Sequence, residues 1–425
     1  MKERGMTRRE ALSTMALSAA GLAALPRIAF GQAAEEDAPM AAETRESPLE
    51  MVPLQGRREY IRLDPDPAAG AKITQLTSQP VVSHDIYPEQ RFTSADGRRV
   101  AIAREPFGGP GEIWVCDMQS KMRVARVCEG RALAANSHLN AVYYLTGEDE
   151  TATLMRLDLA ALEVEELLRF PEGMAPRKAA VSPDERWLVY GPFNVRDGIY
   201  SLRVVEFATG EDNVLCEVAD MFNPHHQFDP ANTGRLLVQV NRGGGFSASD
   251  GAMRLAGETG TTLIIVDVPS GDITPLPAGV PHTPQISGHL CWAGKTGRVL
   301  FTRAPGVHDS LLETTGVYSA IPGEDAAGSL ALGEPFNHIA ATEDGRFFVV
   351  DNYRDQSISV GSVETGGVLK LCDSHTHQGS PQYTHVHPYM TPDQQYVIFN
   401  SNASGVPQVH AAHIPEGFLD QVLAV

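Results

Sequence analysis

Histidines recur at one position of a repeated pattern in the second half of the chain. His226 and His289 each precede a turn glycine by eight residues, and His338 precedes one by seven. His387 lies seven residues before the corresponding turn residue, and His385 is two residues earlier, so on a strand both project from one face. Imidazole is the commonest transition-metal ligand, and several imidazoles with an amide or water oxygen suit Mn, Fe or Zn. The spacing therefore predicts a metal site.

The pattern that carries these histidines is a turn followed by a β-rich run, and it occurs seven times. The turns end at Gly97, Asn140, Glu185, Gly234, Gly297, Gly345 and Gln394. Successive turns are 43, 45, 49, 63, 48 and 49 residues apart. Four short strands with their turns need about 40–50 residues, the period of a propeller blade. We predict an all-β, seven-bladed β-propeller over residues 58–425, in which each inner strand lines the central channel. The even spacing argues against an open pair of β-sandwiches.

The two ends of the repeat region complement each other. Residues 70–77 resemble the outermost strand of a blade whose inner strands are missing, and the last unit ends after residues 407–413. We expect the N-terminal strand to complete the last blade, because ring closure removes exposed sheet edges. The one long interval holds an additional loop, residues 243–260, rich in Gly, Ser and Ala.

The densest group of possible ligands is the segment Gln382-Tyr-Thr-His385-Val-His387-Pro388. A single histidine near an inner strand is more often a core residue than a ligand, but four successive blades in register favour a shared site. His375 and His377 form a second pair with the same spacing, but they precede the inner strand. We interpret them as loop residues rather than ligands.

The last blade resembles the oligogalacturonate lyases, the propellers of polysaccharide lyase family 22. The resemblance rests on Gln-x-x-His-x-His-Pro at 382–388, the Thr-Pro-Asp that follows, and Phe-Asn-Ser-Asn-Ala-Ser-Gly-Val-Pro at 399–407. Residues 70–77, the region from His84 to Gly97, and Asn337-His338 also match. The resemblance spans about 58–425 and is patchy in the middle. It implies a metal-dependent carbon–oxygen lyase that cleaves oligogalacturonides by β-elimination in pectin degradation.

The resemblance also implies roles for individual residues. The metal, usually manganese and otherwise another divalent transition metal, would be held by His338, Gln382, His385 and His387. The base that removes the substrate proton would be His289.

The family's substrate-binding arginine is absent from its expected position. The family arginine would fall where this chain has Thr262. Arg242 or Arg254 in the neighbouring loop region, or Arg177 and Lys178 on the third blade, are the candidates to replace it. The further candidate substrate-binding residues are His84 and His226.

A second interpretation is a non-catalytic, metal-containing propeller that binds a sugar acid or a protein partner. The absent arginine and the Gly-rich insertion motivate it. A metal-dependent hydrolase using the same site is a third, and it would give a saturated product.

The N-terminus is typical of an exported protein. Arg8 and Arg9 precede a weakly apolar stretch, residues 11–24, as in a Tat-type signal. That stretch is too short and too rich in small residues to span a membrane. We predict a signal peptide over 1–33, a flexible linker over 34–57, and a periplasmic or extracellular mature protein.

Composition excludes several classes of partner. The 425-residue chain carries 34 basic and 53 acidic residues, a formal charge of −19, which disfavours nucleic acid and anionic membrane surfaces. An acidic oligosaccharide would need a local cationic site. The five cysteines include no Cys-x-x-Cys pair, so we interpret them as buried fillers rather than a disulfide framework. Composition leaves the oligomeric state open.

Overall fold

The computed structural model describes residues 51–147, 151–246, 253–254, 257, 260–303, 312–377 and 382–425. The predicted signal peptide and most of the predicted linker lie outside these residues.

The described chain is built almost entirely from short strands. In chain order they are β1 (Arg57–Arg58), β2 (Ile61–Arg62), β3 (Lys72–Gln75), β4 (Val82–His84), β5 (Arg99–Glu105), β6 (Glu112–Asp117), β7 (Arg123–Glu129), β8 (Arg131–Asn136), β9 (Ala141–Thr146), β10 (Thr153–Asp158), β11 (Val164–Arg169), β12 (Lys178–Val181), β13 (Trp187–Arg196), β14 (Ile199–Glu206), β15 (Glu211–Ala219), β16 (Gln227–Phe228), β17 (Arg235–Asn241), β18 (Gly245–Phe246), β19 (Met253–Arg254), β20 (Thr261–Asp267), β21 (Ile273–Pro275), β22 (Leu290–Trp292), β23 (Val299–Arg303), β24 (Gly316–Ala320), β25 (Gly328–Leu332), β26 (Phe336–Ala341), β27 (Phe347–Asn352), β28 (Ser357–Ser362), β29 (Val368–Asp373), β30 (Tyr389–Met390), β31 (Tyr396–Ser401) and β32 (Gln408–His413).

In the part of the chain that the structure describes, helical structure is confined to single turns and one short C-terminal helix. The 3₁₀ turns are Ser137–Leu139, Gly294–Thr296, Leu312–Thr314 and Gln382–Thr384, and the helix α1 is Phe418–Ala424. Within the described ranges, no helix combines the length and apolar character that crossing a membrane requires.

The strands form seven antiparallel blades in the described part of the chain. From the channel outward, the blades are β4-β5-β6-β7-β1, β8-β9-β10-β11, β12-β13-β14-β15, β16-β17-β20-β21, β22-β23-β24-β25, β26-β27-β28-β29 and β30-β31-β32-β3-β2. The predicted seven-bladed propeller is confirmed. The long interval between repeats contains the separate β18–β19 hairpin, which lies in the predicted insertion.

Ring closure occurs as predicted from the two ends of the repeat region. Strand β3 pairs with β32, with Lys72 opposite His413 and Gln75 opposite His410. Strand β2 adds a fifth strand outside β3, while β1 pairs with β7 of the first blade. The N-terminal strands therefore bind to two neighbouring blades.

The described end of the predicted linker contacts the propeller. The Val52 amide donates to the carbonyl of Ala160 in the second blade at 3.1 Å. Leu54 is buried among apolar side chains of the first two blades.

Apolar side chains fill the spaces between neighbouring blades. Between the last and first blades, Leu76, Val100 and Ile398 are fully buried in one cluster. Burial of each such side chain stabilises the fold by about 1.5–3 kcal/mol. All five cysteines are free, and only Cys128 is partly exposed, as expected of buried fillers.

The inner strand of the first blade leaves its sheet for eight residues. After β4 the pairing with β5 stops, and it resumes only at an isolated bridge formed by Thr93. Gln90 accepts a hydrogen bond from the Ala135 amide of the second blade at 2.6 Å, and Arg91 reaches the Ala341 carbonyl of the sixth blade at 2.8 Å. Residues 85–92, here called the axial segment, therefore lie across the central channel.

Candidate metal centre and substrate cleft

Three histidines from the last two blades converge at the channel. His338 belongs to β26, whereas His385 and His387 lie just before β30. One ring nitrogen from each lies within 4.8 Å of those of the other two. The ring centre of His338 is 5.5 Å from that of His385 and 4.4 Å from that of His387. This arrangement can place three imidazole nitrogens around one ion.

A fourth histidine joins this group from the fifth blade. The His289 ring centre lies 4.3 Å from that of His338. Burial, and then the neighbouring imidazoles, hold the pKa of His289 well below its usual value. His226 is not among the three clustered histidines. Its Nε2 lies instead 3.2 Å from the Val189 carbonyl.

A buried carboxylate orients His338. The Nδ1 of His338 is 3.1 Å from Oδ2 of Asp351, and the His338 amide donates to Oδ1 at 2.7 Å. Asp351 is fully buried in β27, the strand next to β26. A carboxylate at Nδ1 places the proton there and leaves Nε2 free to bind a metal. Asp351 was not predicted from the sequence; its one signal there is an acid near the end of the apolar strand that follows His338.

His387 has an unusual conformation and surroundings. Its φ is +46°, in the left-handed region that non-glycine residues rarely adopt. Such strain often marks functional positions. The side chain is buried, and among the described residues neither of its ring nitrogens has a hydrogen-bond partner. Burial, followed by the nearby imidazoles, holds its pKa well below the usual value. A neutral, buried imidazole without partners suits a metal ligand.

The axial segment fixes the turn that carries His385 and His387. The Asp85 amide donates to Oδ1 of Asn400 at 2.8 Å, and Nδ2 of Asn400 donates back to Oδ1 of Asp85 at 2.6 Å. The same Asn400 donates its Nδ2 to the His385 carbonyl at 3.2 Å and its amide to the Val386 carbonyl at 2.8 Å.

A cleft of about 370 Å³ opens beside the histidine group. The predicted site residues along it are His84, Arg177, Lys178, His226, Gln382 and His387. Gln382 is exposed at the start of its 3₁₀ turn. Nε2 of His84 is 3.4 Å from Oε1 of Glu105. The structure therefore brings residues from the first, third, fourth and last blades to one cleft.

The structure describes the side chain of one of the two arginine candidates near the insertion. The side chain of Arg254 lies outside the described residues. Nε of Arg242 donates to Oγ1 of Thr262 at 3.1 Å. The guanidinium of Arg242 thus lies beside the position where the resemblance implies an arginine.

His375 and His377 stay outside the histidine group. The backbone amide of His377 donates to Oδ1 of Asn402 at 2.7 Å, and Nδ2 of Asn402 donates back to the His377 carbonyl at 2.9 Å. These bonds involve the loop backbone, in agreement with the interpretation as loop residues.

The fold and the site together define a seven-bladed propeller with three clustered histidines beside a cleft. These residues, His338, His385 and His387, are here called the histidine centre. No protein-family model matches the chain. It is 23% identical to the oligogalacturonide lyase of Pectobacterium atrosepticum over 383 residues, which cover 83% of this chain and 95% of that protein. It is 22% identical to the oligogalacturonate lyase of Dickeya dadantii over 384 residues, with the same coverage.

Solved structures agree in fold. An oligogalacturonate lyase in complex with manganese superposes with a TM-score of 0.66 and 19% identity, covering 86% of this chain and 99% of that one. The oligogalacturonate lyase from Vibrio parahaemolyticus gives the same TM-score and identity over 86% of this chain and all of that one. The resemblance to the oligogalacturonate lyases is confirmed over most of the chain.

Proposed function

We propose that this protein is a metal-dependent carbon–oxygen lyase that cleaves oligogalacturonides by β-elimination, a reaction of pectin degradation. The observation that carries the proposal is the convergence of three imidazoles within 4.8 Å beside a cleft. The similarity of 83% of the chain to two oligogalacturonate lyases supports the substrate class.

The histidine centre suits a divalent transition metal. His338, His385 and His387 would hold the ion, with Gln382 as a further oxygen ligand. Asp351 at Nδ1 of His338 and the unpartnered, buried nitrogens of His387 among the described residues fit this role. Manganese is favoured because one structural relative was solved with it. When bound, the cation would neutralise the uronate carboxylate and stabilise negative charge developing on the substrate.

His289 is the group that we assign as the base. It stands against His338 from the neighbouring blade, and its Nδ1 has no hydrogen-bond partner among the described residues. It removes the proton from C5 of the uronate, the electrons of that bond form the C4–C5 double bond, the bond between C4 and the glycosidic oxygen breaks, and the departing oxygen takes up a proton. Water is not consumed, and the product is a 4,5-unsaturated uronate. A positioned base contributes about 10²–10⁴ in rate.

Cationic side chains would hold the acidic substrate in a protein of charge −19. Arg177 and Lys178 line the cleft. The contact of Arg242 with Thr262 supports a role for Arg242 in place of the family arginine. His84 and His226 at the cleft add further polar contacts to the sugar.

The direct test is the ultraviolet absorbance of unsaturated uronate after incubation with oligogalacturonides and Mn²⁺. A rise is expected from the metal-loaded protein. No rise with metal shown to be bound would reject the proposal. Tight calorimetric binding without product would instead support a non-catalytic binding protein, and a product heavier by one water would indicate a hydrolase.

The roles of the histidines can be separated by substitution. We predict that His385→Ala loses the metal, whereas His289→Ala retains it and lowers kcat by about 10²–10⁴. Metal content by elemental analysis and turnover by absorbance measure the two effects. The exposed His282→Ala is the control and should change neither. Equal metal loss in the two site variants would show that the division of roles is wrong.

We also propose that the protein is exported by the Tat route to the periplasm or beyond. Arg8 and Arg9 ahead of the weakly apolar stretch support this. A reporter fused to residues 1–33 should leave the cytoplasm, and replacing both arginines by lysine should retain it there. Export that persists with the lysines would argue against this route.

A further inference from the structure

A chain of hydrogen bonds leads from the cleft to the axial segment. Nζ of Lys178 donates to Oδ1 of Asn223 at 2.9 Å. Nδ2 of Asn223 lies 2.8 Å from Nε2 of His225, and Nδ1 of His225 contacts Oε1 of Glu89. The four residues come from the third blade, the fourth blade and the axial segment. We call Asn223, His225 and Glu89 the relay.

Hydrogen-bond chemistry sets the direction of this chain. An ammonium can only donate, so the amide oxygen of Asn223 must accept and its NH₂ must face His225. Nε2 of His225 then accepts, Nδ1 carries the proton, and Glu89 accepts as a carboxylate. Burial alone would raise the pKa of Glu89, but His225 and Lys178 hold it below its usual value. The relay therefore fixes the ammonium of Lys178 at the cleft, with two N–H groups left for a ligand.

The wall around Lys178 is cationic. Arg131 of the second blade donates from Nη1 to the Arg177 carbonyl at 3.1 Å and from Nη2 to the Pro176 carbonyl at 2.7 Å. Arg131, Arg177 and Lys178 all line the cleft. This arginine thus supports the segment that begins β12 and adds a third positive charge to the same wall.

The acids along the cleft neutralise this wall only in part. Among the residues described there, the acids are Glu89 and Glu105. Glu89 contacts the neutral His225, so its negative charge still offsets part of the wall, and Glu105 lies beside His84. Three cations therefore face two carboxylates, which leaves the wall with a net positive charge that a bound anion would balance. A carboxylate is the anion that an acidic oligosaccharide would bring.

We propose that Lys178, oriented by the relay, binds a carboxylate of the substrate. This carboxylate belongs to the uronate unit adjacent to the unit that is held at the histidine centre. The cleft that Lys178 lines is also lined by His387, so the two carboxylates of adjacent units would be recognised within one cavity. The substrate must then carry free, unesterified carboxylates on neighbouring units. This inference rests on the proposed function and extends it to substrate choice.

The test compares two probes, digalacturonate and its methyl ester at the non-reducing unit only. For the wild-type protein, the ester should raise KM about 10- to 100-fold and leave kcat within a few-fold, as expected when a charged hydrogen bond is lost. Lys178→Met should raise KM for the free acid by a similar factor and leave KM for the ester unchanged. The exposed Lys370→Met is the matched control and should change neither probe.

Asn223→Leu tests the relay, since it removes the bonds to both Lys178 and His225. It should raise KM for the free acid and leave the ester unaffected, whereas a merely structural residue would weaken both probes equally. Equal KM for both probes with the wild-type protein, or equal effects of Lys178→Met on both, would overturn the proposal.

Binding and turnover separate this proposal from the proposed function. Calorimetric titration of both probes with the wild-type protein and with Lys178→Met tests the subsite without turnover. Selective binding of the free acid without unsaturated product would retain the subsite and reject the lyase. Product formed equally from both probes would do the reverse. Unchanged thermal unfolding of the variants shows that each is folded.

Discussion

At the scale of single residues, the carboxylate of Asp351 holds a proton on Nδ1 of His338 and so leaves Nε2 of that ring to face the histidine centre. Asp351 is fully buried and lies 3.1 Å and 3.2 Å from Nδ1 through its two oxygens. It also accepts the His338 amide, so it fixes both the ring and the backbone. Such carboxylate partners typically change metal affinity 10- to 100-fold.

We predict that Asp351→Asn weakens metal binding by about 10- to 100-fold. The amide has the same shape but carries no charge and holds the Nδ1 proton less firmly. Calorimetric titration of the metal-free protein with Mn²⁺ measures the change. The exposed Asp272→Asn serves as control, and unaltered affinity in Asp351→Asn would show that this carboxylate does not act through the metal ligand.

At the scale of elements, the inner strands decide which side chains meet. His289 and His387 lie just before the first paired residues of their inner strands, and His338 lies at the irregularity between the first two pairs of its own strand. Each blade therefore delivers its imidazole to the same end of the channel. The sequence already indicated that these histidines lie at a similar depth in the channel, because each is seven or eight residues before the turn that follows it.

The axial segment is the element that departs from the repeat. It contributes Asp85 to the turn of the last blade and Glu89 to the relay of the fourth blade. Tyr87 packs between them, with its ring centre 4.6 Å from that of His387 and 5.5 Å from that of His225. The axial segment of the first blade thus connects the histidine centre with the cationic wall around Lys178.

At the scale of the whole molecule, the N-terminal strands bind to two blades. Glu59 stands between β1 and β2, where its carboxylate receives Nη2 of Arg104 at 2.5 Å and Nε of Arg57 at 2.7 Å. Both carboxylate and guanidinium of the Glu59–Arg104 pair are about 1% exposed. The guanidinium also lies 3.9 Å above the ring of Trp114. This buried pair joins the closing strands to the first blade.

We predict that Glu59→Gln lowers the free energy of unfolding at pH 7 by about 3 kcal/mol, because Arg104 keeps a buried charge without a counterion. Urea denaturation followed by circular dichroism measures this. The matched control is Glu166→Gln in the exposed pair with Arg169, which should be nearly neutral.

The same pair predicts a pH dependence. Burial alone would raise the pKa of Glu59, but Arg104 and Arg57 hold it below its usual value of 4.5. A carboxyl with a lowered folded pKa stabilises the fold above the unfolded pKa, and this contribution is lost as the pH falls through the folded pKa. The difference between wild type and Glu59→Gln should therefore shrink below about pH 4.5. A difference that stays constant down to acid unfolding would show that the charge of Glu59 is not responsible.

Local pattern by itself determined the seven blades, their closure and the histidines that could share an ion. These features are encoded over a few residues: a turn, an alternating strand, and a fixed distance from His338 or His387 to the next turn. The tertiary structure decided the rest. Three features depend on how the strands, the axial segment and the loops meet within the closed ring. They are the contact of Asp351 with His338, the pairing of Glu89 with His225, and the contact of Arg242 with Thr262. Glu89 and His225 are 136 positions apart, and no local period relates residues at that distance.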